Sequence, residues 1–296
     1  MSYWFYRLLS ALPLRVLYGI ASCAACFLQR IIGYRRTVVA DNITRAFPEL
    51  DAPQRQQMLS DFYRHFADTT LEIVAGYSMP MTELRARMMI MNPEVIDQAS
   101  KGYQQSVIVM TLHQGNWEWM LYAANDCYPM DSAAVYKRLH DNGADRFSLE
   151  SRSRFGTEPI EMRDAGRNVI KHRRRARLIF MVADQSPGRR ERVHWTQFLN
   201  QPTAFFSGAA ALARATGFPV VFAAGRRRSR GHYQIDLTLI TDDPKGMEES
   251  DIIERYARLT ERAIRQSPAE WLWSNRRWKH NIHDMADPVT RGPSDK

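Results

Sequence analysis

The hydrophobic pattern changes character along the chain, and each change predicts a different element. From Val16 to Gln29 no residue is charged, and the apolar run reaches back toward Leu8 if Arg15 is tolerated. Fourteen residues at a helical rise of about 1.5 Å reach only ~21 Å, short of the ~30 Å hydrocarbon layer of a bilayer. This segment therefore predicts an interfacial anchor helix rather than a full span, with a buried core helix as the competing reading. Tyr3, Trp4, Tyr6, Tyr18 and Tyr34 flank it with amphipathic rings, and Arg30, Arg35 and Arg36 form a basic end that favours the cytoplasmic face. Arg15 and the lack of a clear small-residue cleavage site argue against a signal peptide.

Beyond the anchor, Asp51-Ala-Pro starts a helix on whose one face Met58, Phe62 and Phe66 recur. At Ser106–Leu112 the pattern becomes a short, continuous apolar run of the kind that fills central parallel strands. Ala133–Lys137, Leu178–Ala183 and Pro219–Ala224 read the same way. Ser207–Thr216 is a small-residue helix, capped by Ser207 and stopped by Gly217. Tyr233–Ile240 alternates as a half-exposed strand, and Ile252, Ile253, Tyr256, Leu259 and Ala263 form a helical stripe ending near Ser267-Pro268. Strands alternating with helices predict an α/β fold: a single domain with a mostly parallel central sheet flanked by helices, preceded by an N-terminal apolar helix. The expected division is an anchor at 1–36, an α/β domain at 37–284 and a polar tail at 285–296.

Composition narrows the partners. The 296 residues are 45% apolar and 25% charged, which excludes disordered, fibrous and multi-span membrane classes. The net charge is +9, and 35 of the 41 basic residues are arginine. Arginine's planar fork suits carboxylates and phosphates, so nucleic acid, an anionic membrane and an acidic protein all qualify, beside a GC-rich genome as the plain explanation. Arg173–Arg175 with Arg177, Arg189, Arg190 and Arg192, and Arg226–Arg228 with Arg230 form clusters that are either a solvated face or contacts to an anionic partner. Trp271, Trp273 and Trp278 among Arg276, Arg277 and Lys279 would suit base stacking, a membrane interface or the core. Three cysteines make no disulfide framework, and Cys23 and Cys26 read as buried hydrophobes rather than a metal or redox pair.

The chemistry concentrates in Thr111–Trp119. His113 follows a buried strand at the edge where open α/β sheets place ligands. Gly115 and Asn116 allow a tight turn into a helix whose first turn holds Glu118, five residues from the imidazole. A carboxylate there can orient a histidine base, and free N–H groups around Gly115 and Asn116 can stabilise an oxyanion; a structural His beside a carboxylate is the plainer alternative. Serine-hydrolase, P-loop, zincin and Rossmann signatures are absent, and no metal or cofactor is implied.

The H-x4-[D/E] motif at a strand end resembles the lysophospholipid acyltransferase superfamily, and His113-Gln-Gly-Asn-Trp-Glu118 resembles its lipid A late acyltransferase branch (lauroyl and myristoyl transferases). Val135-Tyr136-Lys137-Arg138, Arg152-Ser-Arg-Phe-Gly156, Ala183-Asp-Gln-Ser-Pro-Gly188, the Ser207–Gly217 helix and Pro268–Lys279 follow that branch's order of motifs. Lys137, Arg138 and Ser186 depart from its usual residues. The resemblance implies transfer of a fatty acyl chain from an acyl carrier protein thioester, a co-substrate rather than a cofactor, to a hydroxyl of a phosphorylated lipid A precursor. It places the enzyme on the cytoplasmic face of the inner membrane, with no nucleic-acid partner. His113 would be the general base oriented by Glu118; Arg152, Arg154, Asp184 and Gln185 would support it or bind substrate. Another glycolipid or a lysophospholipid is the alternative acceptor, and a basic nucleic-acid-binding protein is the alternative of a different class.

Overall fold

A strand whose side chains are apolar on both faces needs cover on both, and the sheet is built to supply it. The computed structural model describes residues 1–188 and 191–280; Arg189, Arg190, the expected domain end at 284 and the polar tail at 285–296 lie outside them. The strands are β1 (Met88–Ile90), β2 (Val107–Thr111), β3 (Asp131–Tyr136), β4 (Thr157–Glu161), β5 (Arg177–Val182), β6 (Val193–Phe198), β7 (Gln201–Phe206), β8 (Val220–Ser229) and β9 (His232–Thr241). Seven of them form one sheet in the order β1-β9-β8-β2-β5-β3-β4. β8, β2, β5, β3 and β4 run parallel; β9 turns back antiparallel to β8, and β1 lies parallel to β9. β6 and β7 form a separate antiparallel hairpin.

The helices are α1 (Ser2–Ser10), α2 (Leu14–Cys26), α3 (Arg36–Ala46), α4 (Ala52–Gly76), α5 (Met81–Arg87), α6 (Glu94–Ala99), α7 (Trp117–Cys127), α8 (Asn142–Ser153), α9 (Ala165–Lys171), α10 (Gly208–Thr216) and α11 (Glu249–Gln266). Alternation along β2 sends Val107 and Val109 to a core shared with Trp119 and Met120 of α7, and Ile108 and Met110 to a core shared with Leu212 of α10 and Ile252 of α11. Burying each such side chain contributes ~1.5–3 kcal/mol. α4 starts with the predicted cap, a reciprocal box in which Asp51 and Gln54 satisfy each other's backbone N–H groups.

Several expectations are corrected. The apolar helix runs from Leu14 through a π-helical segment, Phe27–Ile32, giving 19 residues, or roughly 28 Å at the α-helical rise. Pro13 and Gly33 delimit it, because a basic residue such as Arg30 does not end a helix. Leu17, Ala21 and Ala25 face the protein, while Val16, Ile20, Phe27, Ile31 and Ile32 are exposed, as are Trp4, Phe5 and Leu8 of α1. Cys23 and Cys26 are exposed rather than buried, since they lie on the outward side of α2. Ser207 stands at the start of α10, but its hydroxyl donates to the Arg192 carbonyl instead of capping the helix. β8 continues past Ala224 through the arginine cluster to Ser229, so Arg226–Arg228 sit on an extended hairpin arm. That cluster and the Arg173–Arg177 cluster are only partly solvated. Arg227 and Arg230 turn inward onto Asp68, and Arg177 is buried against Glu158 and Asn168.

Candidate active site

Strand register assembles the centre of the site. Thr111 at the end of β2 pairs with Val182 at the end of β5, so His113 and Asp184 each lie two residues past matched strand ends. The Asp184 carboxylate is fully buried and receives three N–H donors. Its Oδ1 is 2.7 Å from His113 Nδ1, and its Oδ2 accepts the His113 backbone N–H at 3.0 Å and the Trp271 indole N–H at 2.7 Å. Burial alone would raise this carboxyl's pKa; the His113 charge and hydrogen bonds, with the Trp271 bond, more than offset it and hold the group below the usual carboxylate range. An ionised Asp184 requires the proton of a neutral His113 to sit on Nδ1, leaving the lone pair on Nε2. Nε2 lies 3.3 Å from the amide nitrogen of exposed Gln185, and the Trp117 ring stands edge-on to the imidazole at 5.1 Å.

The support around this pair is rigid. The Thr111 carbonyl accepts the buried Tyr256 hydroxyl at 2.7 Å, and the His113 carbonyl accepts the Leu272 N–H at 3.0 Å. Gly115 has φ +60°, and a Cβ there would stand 2.9 Å from the Gly225 carbonyl oxygen, so the turn into α7 demands glycine on both counts. Asn116 is buried and caps α7, its Oδ1 accepting the Trp119 N–H at 3.0 Å. Its side chain is committed to the Trp119 N–H and the Glu72 carboxylate.

The expected His113–Glu118 contact is replaced by a different pairing. Glu118 does occupy the first turn of α7, but both its oxygens are held by Arg152 at the end of α8: Nε reaches Oε2 at 2.9 Å, and Nη2 bonds Oε1. The reason is geometric, because register already delivers Asp184 to Nδ1 and the guanidinium fork matches the second carboxylate. Burial would lower the Arg152 pKa, and the Glu118 charge overrides it to leave the pKa raised. Arg154 is spent elsewhere, donating to the carbonyls of Gly76, the last residue of α4, and of Tyr77 and Met79 just beyond it. Trp271 and Trp273 are buried and offer no stacking surface for bases.

Trp271, read from the sequence as a stacking, interfacial or core ring within the Pro268–Lys279 motif, is instead a hydrogen-bond donor to Asp184. A buried tryptophan needs an acceptor for its N–H, and that need was the available signal. Tyr256 was legible only as one position in an apolar stripe.

Comparison with known proteins identifies the family. Residues 1–280 match the family described as bacterial lipid A biosynthesis acyltransferase. The chain is 22% identical over 265 residues to the lipid A biosynthesis palmitoleoyltransferase of Escherichia coli (strain K12), covering 88% of this chain and 82% of that one. It is 21% identical over 274 residues to the lipid A biosynthesis lauroyltransferase of the same organism, covering 90% and 87%. With the match spanning the described fold and the whole His113 site, the chain belongs to the bacterial lipid A biosynthesis acyltransferase family and is an acyltransferase.

Proposed function

We propose that this enzyme moves a fatty acyl chain from an acyl carrier protein thioester to a hydroxyl of a lipid A precursor, with His113 as general base. The observation that carries the reading is the His113–Asp184 pair, which keeps the proton on Nδ1 and the lone pair on Nε2 beside Gln185. The acceptor hydroxyl gives its proton to Nε2 while its oxygen attacks the thioester carbonyl. That attack forms the new C–O bond and an oxyanion; collapse of the tetrahedral intermediate restores the carbonyl, breaks the C–S bond and returns the proton from His113 to the departing thiolate. Asp184 stabilises the imidazolium between those two transfers. Glu118 and Arg152 act as a fixed pair at the start of α7 rather than as the orienter of His113, and Gln185 contacts the proton-transfer atom. Main-chain N–H groups of the Gly115–Asn116 turn are the candidate donors to the thioester oxygen.

The apolar outer faces of α1 and α2 support attachment to the cytoplasmic side of the inner membrane, where such an acceptor would lie. The +9 net charge supports an acidic carrier protein and a phosphorylated acceptor. The direct test is transfer from dodecanoyl–acyl carrier protein to a lipid A precursor by purified wild type and His113→Ala. Loss of at least 1,000-fold in turnover, roughly 4 kcal/mol of barrier, is expected; full turnover in the variant refutes the mechanism.

A further inference from the structure

The outward apolar helix and the catalytic turn meet at one buried carboxylate. Glu72 of α4 is fully buried and accepts three side-chain donors from three other parts of the chain. Its Oε1 receives the Tyr18 hydroxyl of α2 at 2.9 Å; its Oε2 receives the Tyr233 hydroxyl of β9 at 2.6 Å and Asn116 Nδ2 at 3.2 Å. The Glu72 backbone carbonyl also accepts the Trp119 indole N–H at 3.0 Å. Asn116 and Trp119 are the two ends of the α7 cap, and Asn116 is three residues from His113.

The donor set defines what the site asks of Glu72. With Oδ1 already accepting the Trp119 N–H, Asn116 can only donate toward Glu72. Replacing the carboxylate by a methyl group leaves that buried N–H without an acceptor and frees the cap to turn. Tyr18 is a weaker link, because a hydroxyl can rotate to donate or accept. α2 has a second fastening independent of Glu72: Arg230 Nη2 donates to the Tyr18 carbonyl at 2.9 Å and to the Ser22 hydroxyl at 3.0 Å, and the same guanidinium lies 4.4 Å from the Tyr18 ring centre. Removing the Tyr18 hydroxyl therefore loosens the contact with Glu72 while α2 stays docked.

We propose that Glu72 is a positioning residue: through Asn116 it sets the turn that presents His113, and through Tyr18 it ties that turn to the seating of the apolar helix α2. The outward face of α2 would then act on turnover as well as on attachment. The proposal rests on His113 being the base.

The test uses the full chain in detergent micelles with dodecanoyl–acyl carrier protein and a lipid A precursor. Glu72→Ala is expected to lower kcat about 100-fold with KM for both substrates unchanged, and Glu72→Gln, which keeps an acceptor for Asn116, to stay within about 5-fold of wild type. Tyr18→Phe is expected to lower kcat about 5-fold alone and to add nothing in a Glu72→Ala background, the signature of a shared route. If Glu72→Ala does not fold, Tyr18→Phe measured in wild type and in Glu72→Gln carries the same test, its effect being expected to shrink in the second. Losses that track only the folded fraction, a rise in KM at constant kcat, or full additivity overturn the proposal. His113→Ala is run alongside. Full turnover there defeats the His113 reading, whereas an inactive His113→Ala beside an unaffected Glu72 series defeats the positioning role alone.

Discussion

Asp184→Asn isolates the part of the site that fixes the histidine's tautomer. Three N–H donors converge on the two Asp184 oxygens, two of them on Oδ2. An asparagine has one acceptor oxygen, and placing its NH2 on the Oδ2 side would set it against both the His113 backbone N–H and the Trp271 indole. The lower-cost orientation turns the NH2 toward His113 Nδ1, which can answer by losing its proton. The imidazole then becomes the Nε2–H tautomer, and the atom beside Gln185 has no lone pair for the acceptor hydroxyl. Two of three hydrogen bonds survive, so folding is little affected. A tautomer inversion of this kind in a histidine–aspartate pair costs about 10⁴ in turnover, or roughly 5 kcal/mol of barrier. The assay is single-turnover acyl transfer against pH, with ¹⁵N imidazole spectra of His113 to report the tautomer. A variant that keeps more than a tenth of wild-type turnover, or that is inactive while still showing the Nδ1–H form, refutes the reasoning.

Two further outcomes follow from the charges. Glu118→Gln leaves Arg152 without its partner in a nearly buried pair, for which a loss of about 3–5 kcal/mol in stability is expected; the Glu118→Gln/Arg152→Gln double variant should regain part of it, and denaturant melts that show no recovery count against the pairing. Glu270, beside Trp271, accepts the Arg227 N–H at 2.8 Å, and burial lifts its carboxyl from 4.5 to about 7. Between those values the folded chain holds a proton that the unfolded chain has released, so this group's contribution falls as pH rises through the window. Glu270→Gln should flatten the wild-type loss, on the order of 2 kcal/mol, between pH ~5 and ~7.5; parallel stability profiles for the two proteins would contradict it.

The sheet was legible because a buried parallel strand has little freedom in composition. Ser106–Leu112, Ala133–Lys137 and Leu178–Ala183 each fall within a residue or two of the observed strands. β1, β4 and the β6–β7 hairpin were not legible, since they are short or half-exposed and their identity comes from neighbours. His113 was legible from its place after a strand. Its partner was not, because sequence distance favours Glu118 while strand register favours Asp184, 71 residues away. The resemblance had already brought Asp184 into the candidate set, and only the register of β2 against β5 assigns it to Nδ1.

That register also bears on how the enzyme fails. A one-residue slip between β2 and β5 would move Asp184 by ~3.3 Å and send its side chain to the opposite face. No intermediate slip preserves part of the contact, because the ladder admits whole residues only. The active geometry is therefore digital with respect to sheet assembly: a molecule whose central strands pair correctly has the His113–Asp184 bond, and a mispaired one lacks it altogether. In a partly denatured sample the lost activity should count molecules rather than measure gradual distortion, with the survivors turning over at the native rate.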